Sequence, residues 1–380
     1  MDILLVGTYT QHDAPAVLEK QELGKGIYLI PYNEILGDVA GTPLIIQMQN
    51  PSWVCLMKNR LFAVSESEDA AEIVEYEVGV QEERLTAEKK AGLQMPGKAS
   101  CHIEKDEKVQ RLFVSDYGSG DLKVIDISEA GSPKLLQEIS FTGKGLDPER
   151  QEASHIHSCF LHRGDLYVAD LGCDKIYSFD IDKGKLLQKE TIEVRPGAGP
   201  RHMEVLDKNG KTYLYVLNEL DLTISVYCNG NLCQTIFLEE NLPEGALAAE
   251  LCIAEGKMLY ASVRGTGEIF GFTIEETGML NLKQKVVVPE GWFRSICLDS
   301  SEKHLLAADQ KTGKIYIFDR QSEGELGNQR VLVEVPSTCA GIVWENRIRE
   351  ENCDEKKSNR YRCQSWNWTW NYQRTGSSRI

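Results

Sequence analysis

Short apolar strands alternate with polar turns along most of this chain, and the strands come in pairs. Each pair opens with small or polar residues and ends in a charged residue. Six complete pairs occupy residues 51–66, 99–116, 155–170, 200–219, 249–264 and 293–309. Their second strands recur every 45 to 54 residues, which is close to the period of a four-stranded β-propeller blade. The pattern therefore predicts a ring of similar β-sheets.

A seventh pair is divided between the two ends of the chain. Its first strand is residues 336–344, and its second strand is residues 2–9. A ring whose last blade combines both ends leaves no open sheet edge. We therefore predict an all-β fold, a seven-bladed β-propeller closed by N- and C-terminal strands that share one blade, as a single domain over residues 1–344.

Further strands are predicted outside the pairs, where short runs are rich in β-branched and aromatic residues. They occupy residues 73–78, 122–127, 175–181, 224–227, 269–274 and 314–319.

Residues 345–380 break the repeat. They are polar and then abruptly aromatic, with Trp366, Trp368 and Trp370 at alternate positions. Because chain ends concentrate disorder, we expect an appended, mostly disordered segment. The alternative is a segment that binds a partner, since exposed tryptophan is costly in water.

The charge of the chain argues against some partners. Its formal net charge is −16, so we expect neither nucleic acid nor an anionic membrane to bind through the overall field. No obligate protein partner is evident. An acidic body that binds an anion must concentrate its cations in one place.

The 11 cysteines do not form a disulfide pattern. Six of them fall on first strands, where a small apolar side chain suits a crowded ring centre; these are Cys55, Cys101, Cys159, Cys252, Cys297 and Cys339. We interpret them as reduced core residues. With no recognisable signal peptide or membrane span, the expected compartment is the cytoplasm.

Candidate site residues converge because the inner strand of every blade lines one central channel. The first strands contribute His102, His155, His157, Arg201, His202 and Arg294. The second strands end in Glu66, Asp116, Asp170, Glu219, Arg264 and Asp309. Two such rings of charge could surround a small anionic ligand.

Structural roles compete with functional ones at these positions. We expect Asp116, Asp170 and Asp309 to accept backbone N–H groups in the turns that follow them. For Arg201 and Arg294 we favour anion binding, the alternative being salt bridges with Glu66 or Glu219. The residues 155–157 have a His-x-His spacing, but no further ligand set accompanies it, so no metal is expected.

The same residues carry a family resemblance. The segments GTYT, NPSW, LFVSDYGSGDLKV, DPERQEASHIHS, LYVADLGCDKI, GPRHMEV, YVLNEL, LYASVRG and LLAADQKTGKIYIF resemble motifs of the lactonase family of seven-bladed β-propellers. That family includes propeller-type 6-phosphogluconolactonases and, more distantly, a fungal carboxymuconate-lactonising enzyme. The resemblance runs in order over residues 2 to about 344 and is more specific for the family than for the substrate.

The resemblance implies hydrolysis of 6-phosphogluconolactone to 6-phosphogluconate in the pentose phosphate pathway, without a cofactor. It implies catalytic roles for His157, Arg201, Glu219 and Arg294. Binding of a small phosphorylated sugar lactone would add His102, His155, His202, Arg264 and Glu66. In this interpretation His157 or Glu219 is the base, and Arg201 contacts the oxyanion or the ring carboxyl side. Arg294 and Arg264, with neighbouring histidines, hold the phosphate.

Two other function classes remain open. A carboxymuconate-type lactonising enzyme, or another sugar lactonase, would use the same side chains on a different substrate. A non-catalytic interaction propeller is the third hypothesis. The blades lack the Trp-Asp ending of WD repeats, and their charge gathers on inner strands, which disfavours that hypothesis.

Overall fold

The computed structural model describes residues 2–12, 14–81, 84–182 and 184–344. Over those ranges the regular elements are 29 β-strands in seven antiparallel sheets. The predicted all-β fold is therefore confirmed. The prediction for residues 345–380 lies outside the described residues and stays a prediction.

Six of the sheets are blades formed by four consecutive strands, which run from the channel outward in chain order. Blade 1 contains β5 (Pro51–Met57), β6 (Arg60–Glu66), β7 (Ala71–Gln81) and β8 (Arg84–Met95). Blade 2 contains β9 (Ser100–Asp106), β10 (Arg111–Asp116), β11 (Asp121–Asp126) and β12 (Lys134–Ser140). Blade 3 contains β13 (Ile156–His162), β14 (Asp165–Asp170), β15 (Lys175–Asp182) and β16 (Lys185–Glu193).

The next three blades repeat this order. Blade 4 contains β17 (Pro200–Lys208), β18 (Lys211–Asn218), β19 (Thr223–Cys228) and β20 (Asn231–Phe237). Blade 5 contains β21 (Leu247–Ala254), β22 (Met258–Arg264), β23 (Glu268–Ile274) and β24 (Leu280–Val287). Blade 6 contains β25 (Phe293–Leu298), β26 (His304–Asp309), β27 (Lys314–Arg320) and β28 (Leu326–Glu334).

Blade 7 joins the two ends of the chain. Its inner strand is β29 (Thr338–Trp344), followed by β1 (Asp2–Thr8) and β2 (Ile27–Asn33), while β3 (Asp38–Val39) and β4 (Leu44–Ile46) both pair with β2. The inner strands of neighbouring blades contact one another around the whole ring, and β29 contacts β5 as well as β25. The predicted closure is confirmed.

The hydrophobic core lies between blades rather than at the ring centre. At every junction around the ring, an apolar cluster combines side chains from the two neighbouring blades. At the junction of blades 7 and 1 the backbones approach so closely that a Cβ on Gly7 would lie 2.1 Å from the Pro51 carbonyl oxygen. The blade interfaces thus bury the apolar faces and leave polar side chains to the central channel.

Candidate active site

A β-bulge interrupts the pairing of the inner strand with the second strand in every blade. In blade 3, Ile156 pairs with Asp170 and Ser158 with Ala169, so His157 is the extra residue. The extra residues of the other blades are Ser52, Cys101, Arg201, Arg294 and Cys339, and in blade 5 the irregularity spans Ala249 and Glu250. A bulge re-aims the side chain of its extra residue. The side chains of His157, Arg201 and Arg294 are therefore directed from three separate blades at one level of the channel.

A pocket of about 320 Å³ opens at this level. Its polar lining residues are Glu66, Arg150, His157, Glu219, Arg264 and Arg294, together with Cys101 and Tyr117. Its apolar side is formed by residues 15–18, Leu247 and Trp292. The pocket has the volume and mixed lining of a small-molecule site.

Glu219 is the centre of a buried cluster of charge. Its Oε1 atom accepts a hydrogen bond from Arg150 at 2.5 Å, and its Oε2 atom lies 2.8 Å from Arg201 Nε and 2.9 Å from an Arg264 terminal nitrogen. Burial opposes the ionisation of Glu219, but Arg264, Arg150 and Arg201 together hold its pKa well below the usual range. A carboxylate held in this way is a poor proton acceptor.

Arg201 is buried behind this cluster. Besides its ion pair with Glu219, one of its terminal nitrogens donates to the Ala249 carbonyl oxygen. Its side chain is only 3% exposed, and it does not line the pocket. The geometry fits a residue that fixes the position of Glu219.

Arg294 is less constrained and lines the pocket. Its terminal nitrogen lies 3.8 Å from Glu66 Oε2, beyond hydrogen-bond distance, and its guanidinium lies over the Tyr9 ring at 5.5 Å. The Tyr9 hydroxyl donates to the same Glu66 oxygen at 2.7 Å. Arg294 is therefore held by long-range attraction and keeps hydrogen-bond donors for a ligand.

Three histidines lie close together along the channel. The His157 and His202 ring centroids are 5.1 Å apart, and those of His202 and His102 are 5.6 Å apart. Burial is the main reason that the pKa of each is well below its usual range, and Arg201 adds to the effect in all three. They are therefore neutral imidazoles at pH 7, each with a lone pair on one ring nitrogen.

A second, much smaller cavity lies next to His102 and His202 and is separate from the pocket. It has a volume of about 20 Å³, and Trp53, Glu204 and Glu250 are among its lining residues. This is room for about one water molecule. Burial raises the pKa of Glu250 to about 8, although Arg201 opposes this.

Comparison with known proteins decides the family. The profile described as "Lactonase, 7-bladed beta-propeller" matches residues 3–342. The chain belongs to the lactonase family of seven-bladed β-propellers. It is accordingly a lactone-hydrolysing enzyme, a carboxylic-ester hydrolase.

Relatives of this lactonase include two bacterial enzymes. It is 27% identical over 346 residues to the 6-phosphogluconolactonase of Bacillus subtilis (strain 168), covering 87% of this chain and 95% of the relative. It is 36% identical over 249 residues to the 6-phosphogluconolactonase of Formosa agariphila, covering 60% of this chain and 68% of the relative. A crystal structure of a protein from Lactobacillus plantarum superposes with a TM-score of 0.80 at 25% identity, covering 91% of this chain and all of that one.

The structure brings most of the predicted site residues of the lactonase to one pocket, which Glu66, His157, Glu219, Arg264 and Arg294 line. Three predicted substrate-binding residues lie elsewhere. His102 and His202 line the small cavity below. His155 stacks on Tyr117 at 4.3 Å, and its Nδ1 atom lies 2.8 Å from the Tyr117 carbonyl oxygen. Salt bridges were the alternative prediction for the two arginines, and both are present. Arg201 pairs with Glu219 at 2.8 Å, and Arg294 lies 3.8 Å from Glu66.

The turn roles expected for two aspartates are confirmed. Asp170 Oδ1 accepts the backbone N–H groups of His155 and Cys173, and Asp309 Oδ1 accepts those of Lys311 and Thr312. These carboxylates have a structural role in the turns around the pocket rather than a chemical role in the pocket.

Asp116 has a structural role of a different kind from the one expected. It accepts from the Ser100 hydroxyl at 2.6 Å and pairs with Lys123, and both members of that ion pair are fully buried. Lys123, on the neighbouring strand, occupies the space beside the Asp116 carboxylate. It takes the place of the backbone N–H groups that were expected as partners.

Among the pocket residues that the sequence did not predict, Arg150, Tyr117 and Trp292 have the side chains best able to contact a ligand. All lie outside the paired strands, and the DPER segment that contains Arg150 was the one signal that could have found it. The six first-strand cysteines are buried, as predicted for core residues: Cys55, Cys101, Cys159, Cys252, Cys297 and Cys339. Among the described residues, no cluster of three or more His, Cys, Asp or Glu is arranged to hold a metal ion. Nor does that part of the chain form a helix long and apolar enough to span a bilayer.

Proposed function

We propose that this lactonase hydrolyses 6-phosphogluconolactone to 6-phosphogluconate, the lactone-opening reaction of the pentose phosphate pathway. The observation that carries the proposal is the charge of the Glu219 cluster. Three arginines share one carboxylate there, which leaves an excess of two positive charges beside the pocket. A phosphate monoester carries about −1.5 to −2 at pH 7 and would balance this excess.

The phosphate is best placed beside Arg150 and Arg264, the two members of the Glu219 cluster that line the pocket. Arg150 is about one-third exposed at the pocket mouth, and its terminal nitrogen also reaches the Tyr117 hydroxyl at 3.3 Å. Its remaining donors can bind phosphate oxygens. This assignment moves the phosphate away from Arg294, which pairs with Glu66 and contributes no excess charge.

Arg294 then becomes the donor to the lactone carbonyl oxygen. It lies at the same bulge level as His157, on the other side of the ring. An attacking water needs a base, and the oxyanion that develops needs a positively charged hydrogen-bond donor. Of the two bases left open by the sequence, His157 is neutral and lines the pocket, whereas Glu219 is held by three arginines.

The names of the Bacillus subtilis and Formosa agariphila relatives support the same substrate. The cysteines packed in the core suit a reducing compartment, and we place the enzyme in the cytoplasm on that basis. No cofactor enters the proposed reaction.

The test uses the purified full chain with 6-phosphogluconolactone and with glucono-1,5-lactone, following acid release after subtraction of the spontaneous rate. We expect kcat/KM to be at least about ten-fold higher for the phosphorylated lactone, since one charge-assisted contact contributes about 1.5 to 3 kcal/mol. The preference should come mainly from KM, and inorganic phosphate should inhibit competitively. Equal kcat/KM values for the two lactones would contradict phosphate recognition.

Arg150→Ala isolates the phosphate contact. It should raise KM for the phosphorylated lactone and leave glucono-1,5-lactone hydrolysis unchanged. Arg163→Ala is the matched control, because Arg163 is 68% exposed and pairs with Asp207 outside the pocket. An equal loss on both lactones in the Arg150 variant would place the phosphate elsewhere.

A further inference from the structure

Glu250 is a buried carboxyl group that no step of the proposed reaction uses. It lies on β21, 3% exposed, one level below the pocket. Its Oε1 atom lies 2.7 Å from His202 Nδ1 and also accepts the Leu251 backbone N–H at 3.1 Å. Oε1 has two lone pairs, and we assign the proton of the Glu250–His202 contact to Nδ1 of the histidine, so that Oε1 accepts both hydrogen bonds.

The proton on Nδ1 determines the hydrogen-bonding role of Nε2, the other ring nitrogen of His202. A neutral imidazole that carries its proton on Nδ1 has a lone pair on Nε2. Among the described residues, His202 Nε2 has no hydrogen-bond partner, and neither has His157 Nδ1, although both atoms are buried. Leaving two such atoms unpaired costs free energy.

The two rings lie close enough to provide hydrogen-bond partners for both unpaired nitrogen atoms. Their centroids are 5.1 Å apart and their planes meet at 64°. A proton on His157 Nδ1 could therefore be donated toward the His202 Nε2 lone pair, directly after a small ring rotation or through one bridging water molecule. The carboxyl group, His202 and His157 would then form one directional chain of hydrogen bonds.

We propose that Glu250 is a positioning residue of the lactonase: acting through His202, it holds His157 in the tautomer protonated on Nδ1, so that the Nε2 lone pair faces the pocket as the base. The inference rests on the base role of His157 in the proposed function, but not on the phosphate.

The reaction step conserves atoms and charge. The water oxygen bonds to the lactone carbonyl carbon while one water proton moves to His157 Nε2, and the carbonyl electron pair becomes the oxyanion. When the intermediate collapses, the ring C–O bond breaks and the departing ring oxygen takes the proton back from Nε2. His157 is restored, and the product is the open-chain hydroxy acid.

The transient imidazolium of His157 forms among several charged groups. Three arginines, Arg201, Arg264 and Arg294, act electrostatically on His157 and oppose its positive charge, as does His202 when protonated. The nearby acids are Glu66 and Glu219 at the pocket and Glu250 below it, with Glu104 and Glu204 further along the small cavity. Glu250 is the acid that bonds to His202, which packs against the base.

The kinetic test compares Glu250→Leu with Glu250→Gln. The leucine removes the acceptor of the His202 proton, so we expect kcat to fall about ten-fold or more with KM within two-fold of wild type. The glutamine keeps one acceptor oxygen and should restore part of kcat. Glu204→Leu is the control, because Glu204 is also a buried glutamate beside the same small cavity, and it should leave kcat unchanged.

A second measurement does not depend on activity. Ring ¹⁵N chemical shifts distinguish histidine tautomers, and the His157 signals can be assigned by their absence in His157→Gln. We expect His157 of the wild type to be protonated on Nδ1, and the two tautomers to mix in Glu250→Leu.

The outcomes separate this inference from the proposed function. A wild-type His157 protonated on Nε2, or a kcat of Glu250→Leu within two-fold of wild type, would overturn the positioning role. Failure of the wild type to hydrolyse 6-phosphogluconolactone would instead overturn the proposed substrate, and the tautomer would still be decided by the spectra.

Discussion

Replacement of Arg294 by alanine is the most direct test of the pocket chemistry. The side chain is 10% exposed, lines the pocket and approaches Glu66 no closer than 3.8 Å. Glu66 keeps its hydrogen bond from the Tyr9 hydroxyl at 2.7 Å when Arg294 is removed. We therefore expect Arg294→Ala to fold and to lose a ligand contact rather than a structural one.

The magnitude follows from the contact that is lost. A hydrogen bond from a charged donor contributes about 1.5 to 3 kcal/mol, and each 1.36 kcal/mol corresponds to about ten-fold in rate. We expect kcat/KM to fall about 10- to 100-fold. Because the contact is made to the developing oxyanion, the loss should appear mainly in kcat. Arg294→Lys keeps the charge without the planar fork and should be intermediate.

The assay measures acid release from 6-phosphogluconolactone and glucono-1,5-lactone at pH 7, with a melting curve for each variant. The Arg294 loss should be equal on the two lactones, since both present the same carbonyl group. Arg163→Ala again serves as the arginine control. A loss confined to the phosphorylated lactone would return Arg294 to the phosphate, and full activity on both would remove it from the site.

Three further predictions concern stability. Asp116→Asn should lower the melting temperature and spare kcat, because it removes the close ion-pair partner of fully buried Lys123 and leaves it with Glu138 at 4.0 Å, at a cost of up to about 3 to 5 kcal/mol. Glu219→Gln should destabilise at neutral pH; because the native pKa of Glu219 is depressed, the stability of the wild type relative to this variant should shrink as the pH falls below about 4.5. Burial raises the pKa of Glu250, so the native state holds the Glu250 proton more tightly than the unfolded chain does. The wild type should therefore lose stability relative to Glu250→Gln as the pH rises from about 4.5 through about 8, which thermal melts over that pH range would measure.

The ring could be predicted from the sequence because each blade repeats the same pair of apolar strands. The divided seventh pair also indicated which strands must meet, and β29 does pair with β1. The bulges could not be predicted in this way. A bulge is a property of the register between two strands, and the spacing of apolar residues is the same whether or not one residue is skipped.

The site was predictable in part of its membership but not in its arrangement. The repeat predicted that inner-strand residues such as His157, Arg201 and Arg294 converge on the channel, and the bulges show that these three share one level. Which arginine faces the pocket depends on contacts between different blades, such as that of Arg201 with Ala249. Arg150 had no repeat position to reveal it, because it lies in a connection between blades 2 and 3 that carries no strand.

The shared seventh blade also has a consequence for biosynthesis. Thr8 and its partner Thr338 are 330 residues apart, and at about 5 to 20 residues per second their synthesis is separated by roughly 15 to 65 s. During that time β1 can pair with β2, but its other edge has no partner. An unpaired strand edge invites association with other chains. Ribosomes that stall before residue 338 would therefore release an open ring in which one edge of β1 is unpaired and prone to aggregation. Protection of the nascent chain by chaperones matters most until β29 has been made.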